Sequence, residues 1–203
     1  MKIGIFGGTF DPVHIGHLII AERFCEIMEL DKCLLVPSYL SPFKIEKNPI
    51  IPIEIRLKLL ELAIRTNPIF EIETYEISRQ EVSYTIDTIK YLGAKYPNGE
   101  LYLLIGSDQA SEFHLWKEFK EIMSLAHICI AKRKLEFELN VFPFELYINS
   151  EAKQRYKLNT PIIEISSTEI RERIKGGKSV EYLLPSTVYN FIKENNIYKQ
   201  IEQ

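Results

Sequence analysis

An α/β fold built on a doubly wound parallel sheet is what this 203-residue sequence predicts, and three observations predict it. Short apolar, β-branched runs alternate with longer runs that carry apolar residues at helical spacing. The first short run stops at two glycines that open into a helical pattern. A later run, residues 101–105, is so uniformly apolar that both its faces must be covered, as in the middle of a parallel sheet.

Taken in order, residues 2–6 read as a buried strand, halted by Gly7-Gly8. After a loop to Pro12, the residues Leu18, Ala21, Phe24, Cys25 and Met28 mark one face of a helix. Residues 33–36 give a second strand ended by Pro37, and Pro52 opens a helix over 53–64. A third strand spans 70–73. Ser83 is placed to cap a helix running to about residue 96, and Pro97-Asn98-Gly99 turns the chain into a fourth strand at 101–105. A helix over 116–125, a fifth strand at 127–131 and a sixth at 162–165 follow, then a helix at whose start Ser166 and Glu169 have capping-box spacing. A last helix spans 185–198, with Val188, Phe191 and Ile192 on one face. Residues 132–160 break the rhythm and read as an irregular excursion. The whole, 1–203, reads as a single domain with 166–203 as a C-terminal helical subregion.

Composition narrows the function. The 25 basic and 28 acidic residues are interspersed, for a net charge of −3, and the longest basic cluster, Lys132-Arg133-Lys134, is too short to track a phosphate backbone. Nucleic acid is therefore not an expected partner. No run approaches the roughly 18 apolar residues of a membrane span, and residues 1–6 lack the length and cleavage chemistry of a signal peptide. The cysteines Cys25, Cys33 and Cys129 are odd in number, widely spaced and set in apolar sequence. Buried thiols in a reducing cytoplasm fit that pattern better than a disulfide framework or a zinc cage.

The loop Gly7-Gly8-Thr9-Phe10-Asp11-Pro12-Val13-His14-Ile15-Gly16-His17 carries the clearest chemistry. Glycines at the carboxyl end of a strand, with a helix N-terminus just beyond, expose backbone N–H groups to an anion. His14 and His17, three apart, share a helix face and can both donate to triphosphate oxygens. Zinc would need three or four ligands, and His114, His127 and the cysteines supply no partner motif. Gly176-Gly177-Lys178-Ser179 looks like the end of a P-loop, but position 172 is Glu where that pattern wants Gly and the segment follows a helix, so it reads as a helix stop. The G-x-G-x-x-G fingerprint is missing, which argues against a hydride-transfer enzyme.

Residues 7–17 resemble the signature of the nucleotidyltransferase superfamily that shares its His-x-Gly-His element with class I aminoacyl-tRNA synthetases. From end to end the chain is similar to the bacterial nicotinate-nucleotide adenylyltransferase family. Three further blocks carry the resemblance: Ser83-Tyr84-Thr85-Ile86-Asp87-Thr88; Gly106-Ser107-Asp108 with Trp116; and Ile165-Ser166-Ser167-Thr168-Glu169-Ile170-Arg171 followed by Leu184-Pro185. The resemblance implies a Rossmann-like sheet of order 3-2-1-4-5, extended by the further strand near the C-terminus, in which the Gly7 and Gly106 loops border one crevice. It implies an ATP site made of Gly7, Gly8, Thr9, Phe10, His14, His17, Gly106, Asp108, Ser167, Thr168 and Arg171, with His14, His17 and Arg171 as its catalytic side chains. Thr85 and Trp116 would hold the acceptor's pyridine ring, and Lys44 and Arg133 its phosphate. Mg²⁺ would arrive with ATP, with no resident metal site on the protein.

The implied reaction joins the AMP part of ATP to nicotinic acid mononucleotide for NAD biosynthesis. Many relatives carry Pro-Pro-His-Lys where this chain has Ser41-Pro42-Phe43-Lys44, so that histidine contact is absent here. Alternative acceptors are nicotinamide mononucleotide, alone or alongside the acid, and phosphopantetheine, whose adenylyltransferases share the first loop but lack the Ser83 and Trp116 blocks. A class I synthetase would need a Lys-Met-Ser-Lys-Ser loop, which is not present. A noncatalytic nucleotide sensor would have little reason to keep both histidines. The sequence leaves monomer and homo-oligomer open.

Overall fold

Alternation along the inner strands gives the molecule two apolar faces. In the computed structural model, which describes residues 1–42, 50–132 and 152–199, β1 (Lys2–Gly8) points Ile3 and Ile5 to one side and Phe6 to the other. Parallel pairing joins it to β2 (Lys32–Pro37), β3 (Phe70–Ile72), β4 (Glu100–Gly106), β5 (His127–Ala131) and β6 (Arg155–Leu158), in the order β3-β2-β1-β4-β5-β6. This is the doubly wound α/β class and the strand order that the sequence led us to expect.

Helices cover both faces. On the Phe6 side lie α1 (Ile15–Met28), α2 (Ile53–Ile64), α7 (Ser167–Lys175) and α8 (Ser186–Glu194), which contribute Phe24, Leu59, Leu60, Ile170 and Val188 to one core. On the Ile3 side lie α4 (Thr85–Lys95), α5 (Ser107–Ser111) and α6 (Phe119–Leu125), with Ile86, Ile89, Ala110 and Ile122. The three cysteines are buried free thiols. A hydrogen bond with Cys25 and burial hold the Cys33 thiol well above its usual range, and burial pushes Cys129 up to about 12. Among the described residues no helix is long and apolar enough to cross a membrane.

Several expectations are corrected. The sixth strand is not 162–165 but Arg155–Leu158, inside the stretch read as irregular. An edge strand has one neighbour and one solvated side, so Arg155, Tyr156 and Lys157 suit it and a run of apolar residues is not required. The apolar segment 162–165 packs over the start of α1 instead: a Cβ at Gly16 would lie 3.3 Å from Ile163 Cγ2. Ser83 caps nothing. Its hydroxyl accepts from the Tyr39 N–H (3.0 Å), and α4 starts two residues later behind Tyr84. The helix expected over 116–125 is α6, which begins only at Phe119, after a 3₁₀ turn at Phe113–Leu115. α3 (Tyr75–Arg79) and α5 were not foreseen, both being too short for a periodic signal. α8 ends at Glu194 rather than 198, because Asn196 and Tyr198 take left-handed φ angles of 50° and 66° that turn the chain back inward.

Gly4 marks where packing is tightest. A Cβ there would lie 2.5 Å from Leu30 Cδ1 and 2.7 Å from Phe24 Cε1, both in the core. Gly4→Ala is expected to lower unfolding free energy by about 1–2 kcal/mol, overpacking outweighing the backbone entropy that alanine saves. Urea denaturation measures it; a neutral or stabilising result would mean that Leu30 and Phe24 give way freely.

Candidate active site

The sheet opens where its strand order reverses. β1 pairs with β4 only as far as Phe6↔Leu104. Beyond that point Gly7 and Gly8 pair with Val36 and Pro37 of β2, while Ile105 and Gly106 pair with Ile130 and Ala131 of β5. The two central strands part at their carboxyl ends and leave a crevice between them, the position where open α/β sheets bind ligands. A Cβ on Gly7 would meet nothing within 4 Å, so the bare backbone there faces open space.

The two first-loop glycines work differently. At Gly8 a Cβ would lie 2.9 Å from the Phe10 ring, so this glycine makes room for a side chain. Phe10 itself is buried and has φ 49°, a left-handed value that bulky residues rarely take. Its ring meets Phe6 edge-on at 5.7 Å between centroids and His17 at 5.1 Å. The Phe10 ring is part of the core and a backstop for His17.

His14 is the N-cap of α1 and His17 its third residue. Their rings stack at 3.6 Å with an interplanar angle of 27°. The His14 N–H donates to His17 Nδ1 (3.2 Å), and a ring that accepts at Nδ1 carries its hydrogen on Nε2. The capping bond thus fixes the His17 tautomer and turns its Nε2–H into a directed donor. Gly16 leaves space for this: a Cβ there would lie 3.1 Å from the His14 ring.

Distant elements hold the loop in shape. From α2, Arg56, only 2% exposed, donates to the carbonyls of Thr9 (2.7 Å) and Ser38 (2.9 Å). Burial draws its guanidinium below the usual arginine range, and the nearby Asp11 carboxylate partly offsets that. From α7, the Ser167 hydroxyl donates to the Pro12 carbonyl (2.9 Å), and Arg171 donates to the Asp11 carbonyl (2.7 Å) and the Thr168 hydroxyl (3.2 Å). Ser166 caps α7 by accepting from the Glu169 N–H. Thr9, His14, His17, Ser167, Thr168 and Arg171 are thereby gathered at the end of β1. Gly106 and Asp108 stand across the crevice at the end of β4, where the Gly106 N–H donates to Gln109 Oε1 (3.1 Å) and Asp108 is exposed.

Thr85 begins α4 and Trp116 follows the 3₁₀ turn, both on the Ile3 side and half-buried. The Trp116 ring rests against Phe113 at 5.1 Å. The two segments meet, since Lys117 Nζ lies 4.5 Å from the centre of the Tyr84 ring. An open cleft of about 520 Å³ runs alongside, lined by Tyr39, Leu40, Val82, Tyr84, Asp87 and Lys117. Lys44 and Arg133 lie outside the described residues. The sequence reading missed Arg56, Lys117 and the role of Asp11. Arginine at a helix position facing a strand-end loop was the one available signal.

Residues 5–173 match the family described as cytidylyltransferase-like, and the chain belongs to it: it is a nucleotidyltransferase. Within that class the relatives are named more narrowly. A probable nicotinate-nucleotide adenylyltransferase of Methylacidiphilum infernorum is 38% identical over 97% of this chain and 92% of its own. One of Dictyoglomus thermophilum is 38% identical over 98% and 100%. The fold is shared with the Plasmodium falciparum nicotinic acid mononucleotide adenylyltransferase complexed with NaAD, at a TM-score of 0.78, 19% identity and 97% coverage of both chains.

Arg56→Met should keep the volume and remove both donors, leaving two loop carbonyls unpaired. The expected loss is about 3 kcal/mol of unfolding free energy, read from the urea midpoint. A change below about 0.5 kcal/mol would mean that the loop holds its shape without Arg56.

Proposed function

We propose that this chain transfers the adenylyl group of ATP to nicotinic acid mononucleotide, releasing pyrophosphate and giving nicotinic acid adenine dinucleotide in NAD biosynthesis. The stacked pair His14–His17, with a tautomer fixed by the loop that Arg171 also holds, is the observation that carries the reading. The names of full-length relatives supply the acceptor.

An oxygen of the acceptor 5′-phosphate attacks the α-phosphorus of ATP. A new P–O bond forms, the bond to the α–β bridging oxygen breaks, and pyrophosphate takes the electron pair. The attacking oxygen is already anionic at neutral pH, so no general base is needed. Positioning and charge stabilisation must then supply the rate. In this reading His17 Nε2–H and His14 donate to phosphate oxygens, the Gly7 backbone lets the nucleotide approach, Asp108 meets the ribose, and Thr168 and Arg171 hold the outer phosphates. Nucleotidyltransferases generally use a divalent metal with ATP. The ion proposed here is Mg²⁺, brought in as part of the nucleotide substrate. Asp108 is the exposed carboxylate of the crevice, and among the described residues no three His, Cys, Asp or Glu side chains gather into a cage. That donor set suits a cation bound chiefly by phosphate and water.

On the acceptor side, Trp116 offers a face to the pyridine ring and Thr85 the start of a helix to its carboxylate. Lys117 adds a cation beside the cleft. The start of α4 is braced by its own network: Thr88 Oγ1 donates to Glu76 (2.6 Å), and Leu40 O accepts from the Ser83 N–H (2.8 Å). A donor site of this kind favours an acid over its amide.

Two results test the reading. His17→Ala should lower kcat by roughly 10²-fold while changing KM for ATP far less, because its donor meets charge that grows in the transition state. A variant that folds normally and keeps native turnover removes His17 from the mechanism. Pyrophosphate release with the two mononucleotides should give kcat/KM at least about 10²-fold higher for nicotinic acid mononucleotide than for its amide, whose NH₂ would face a donor. Comparable values would make the enzyme dual in specificity.

A further inference from the structure

Tyr198 lies past residue 173, where the family match ends, yet its hydroxyl donates to Asp11 Oδ1 at 2.7 Å in the buried interior. The other oxygen of that carboxylate, Oδ2, accepts from the Ile50 N–H (2.8 Å). Asp11 is 4% exposed. Arg171 Nη1 stands 4.0 Å from the same Oδ2 but donates to the Asp11 main-chain carbonyl at 2.7 Å instead. A buried carboxylate is thus held just short of close contact with the guanidinium that should receive the triphosphate.

We propose that Tyr198 is a positioning residue: its hydroxyl fixes the Asp11 carboxylate so that Arg171 stays on the backbone carbonyl and keeps its outer N–H groups for ATP. The proposal rests on the reading of Arg171 as a triphosphate ligand. Without the hydroxyl, Asp11 loses one of its two donors. A buried carboxylate short of a donor takes the nearest cation, and a bidentate arginine–carboxylate pair is the strongest arrangement within reach. Arg171 would then be neutralised from within the protein. Burial and the adjacent negative charge push the Tyr198 phenol far above its usual range, so it remains an O–H donor. The left-handed backbone at Asn196 and Tyr198 aims the side chain inward.

The test compares wild type, Tyr198→Phe, Asp11→Asn and the double variant in steady-state kinetics, with a thermal melt on each. Tyr198→Phe should raise KM for ATP about tenfold and leave KM for the acceptor within about twofold. Adding Asp11→Asn should bring KM for ATP most of the way back, because an amide does not neutralise Arg171; a merely structural role predicts a further loss. An unchanged KM for ATP in Tyr198→Phe, or a double variant worse than the single, overturns the proposal. Should Tyr198→Phe melt below the assay temperature, the two asparagine variants carry the test. Their KM values for ATP should agree within about twofold, and a tenfold gap between them overturns it. Calorimetric titration with MgATP alone reads the same ratios whatever the acceptor is, whereas product formation by the wild type tests the acceptor. The two readings therefore fail separately.

Discussion

The loop that leaves β1 has no ladder of its own, so its shape is set by polar groups from elsewhere. Thr9, Asp11 and Pro12 each give a carbonyl to a side chain from α2 or α7, and Asp11 spends its carboxylate on the C-terminal turn and on Ile50. Buried carbonyls and carboxylates are costly to leave unpaired. The loop and its three clamps therefore form together. The placement of His14 and His17 depends on that, because they follow directly from where Pro12 hands the chain to α1.

The same loop holds a backbone conformation that bulky residues rarely take. A phenylalanine at φ 49° would relax if it could. It is kept there by the Gly8 backbone under its ring and by Phe6 and His17 on its sides. The return is a rigid wall for the His17 imidazole. Its freedom is limited on one side by that wall, on the other by the stacked His14, and at Nδ1 by a backbone donor. In the proposed transfer, a donor with so little freedom needs no reorganisation when phosphate charge shifts.

Much of this was legible in the residues themselves. The buried strands could be read because a strand covered on both faces must be apolar, and the first loop because two glycines between an apolar run and a helical pattern mark a strand-to-helix turn. The edge strand could not, since Arg155, Tyr156 and Lys157 look like loop until the neighbouring β5 is known. Ser83 looked like a cap because serine usually is one, but tertiary structure gave its hydroxyl to Tyr39. Arg56 and Tyr198 escaped notice for the same reason. Their partners lie 47 and 187 residues away, and local pattern does not carry over such distances.

Those separations also bear on how the protein is made. The bonds that complete the first loop span 155, 160 and 187 residues, to Ser167, Arg171 and Tyr198. A chain emerging from the ribosome N-terminus first can pair β1 with β2 early, but it cannot finish its first loop until Tyr198 is out. Contacts this remote are slow to close and come late in folding. A chain that stops short of Ser167 would carry both histidines and lack all three of these bonds around the loop that leads to them.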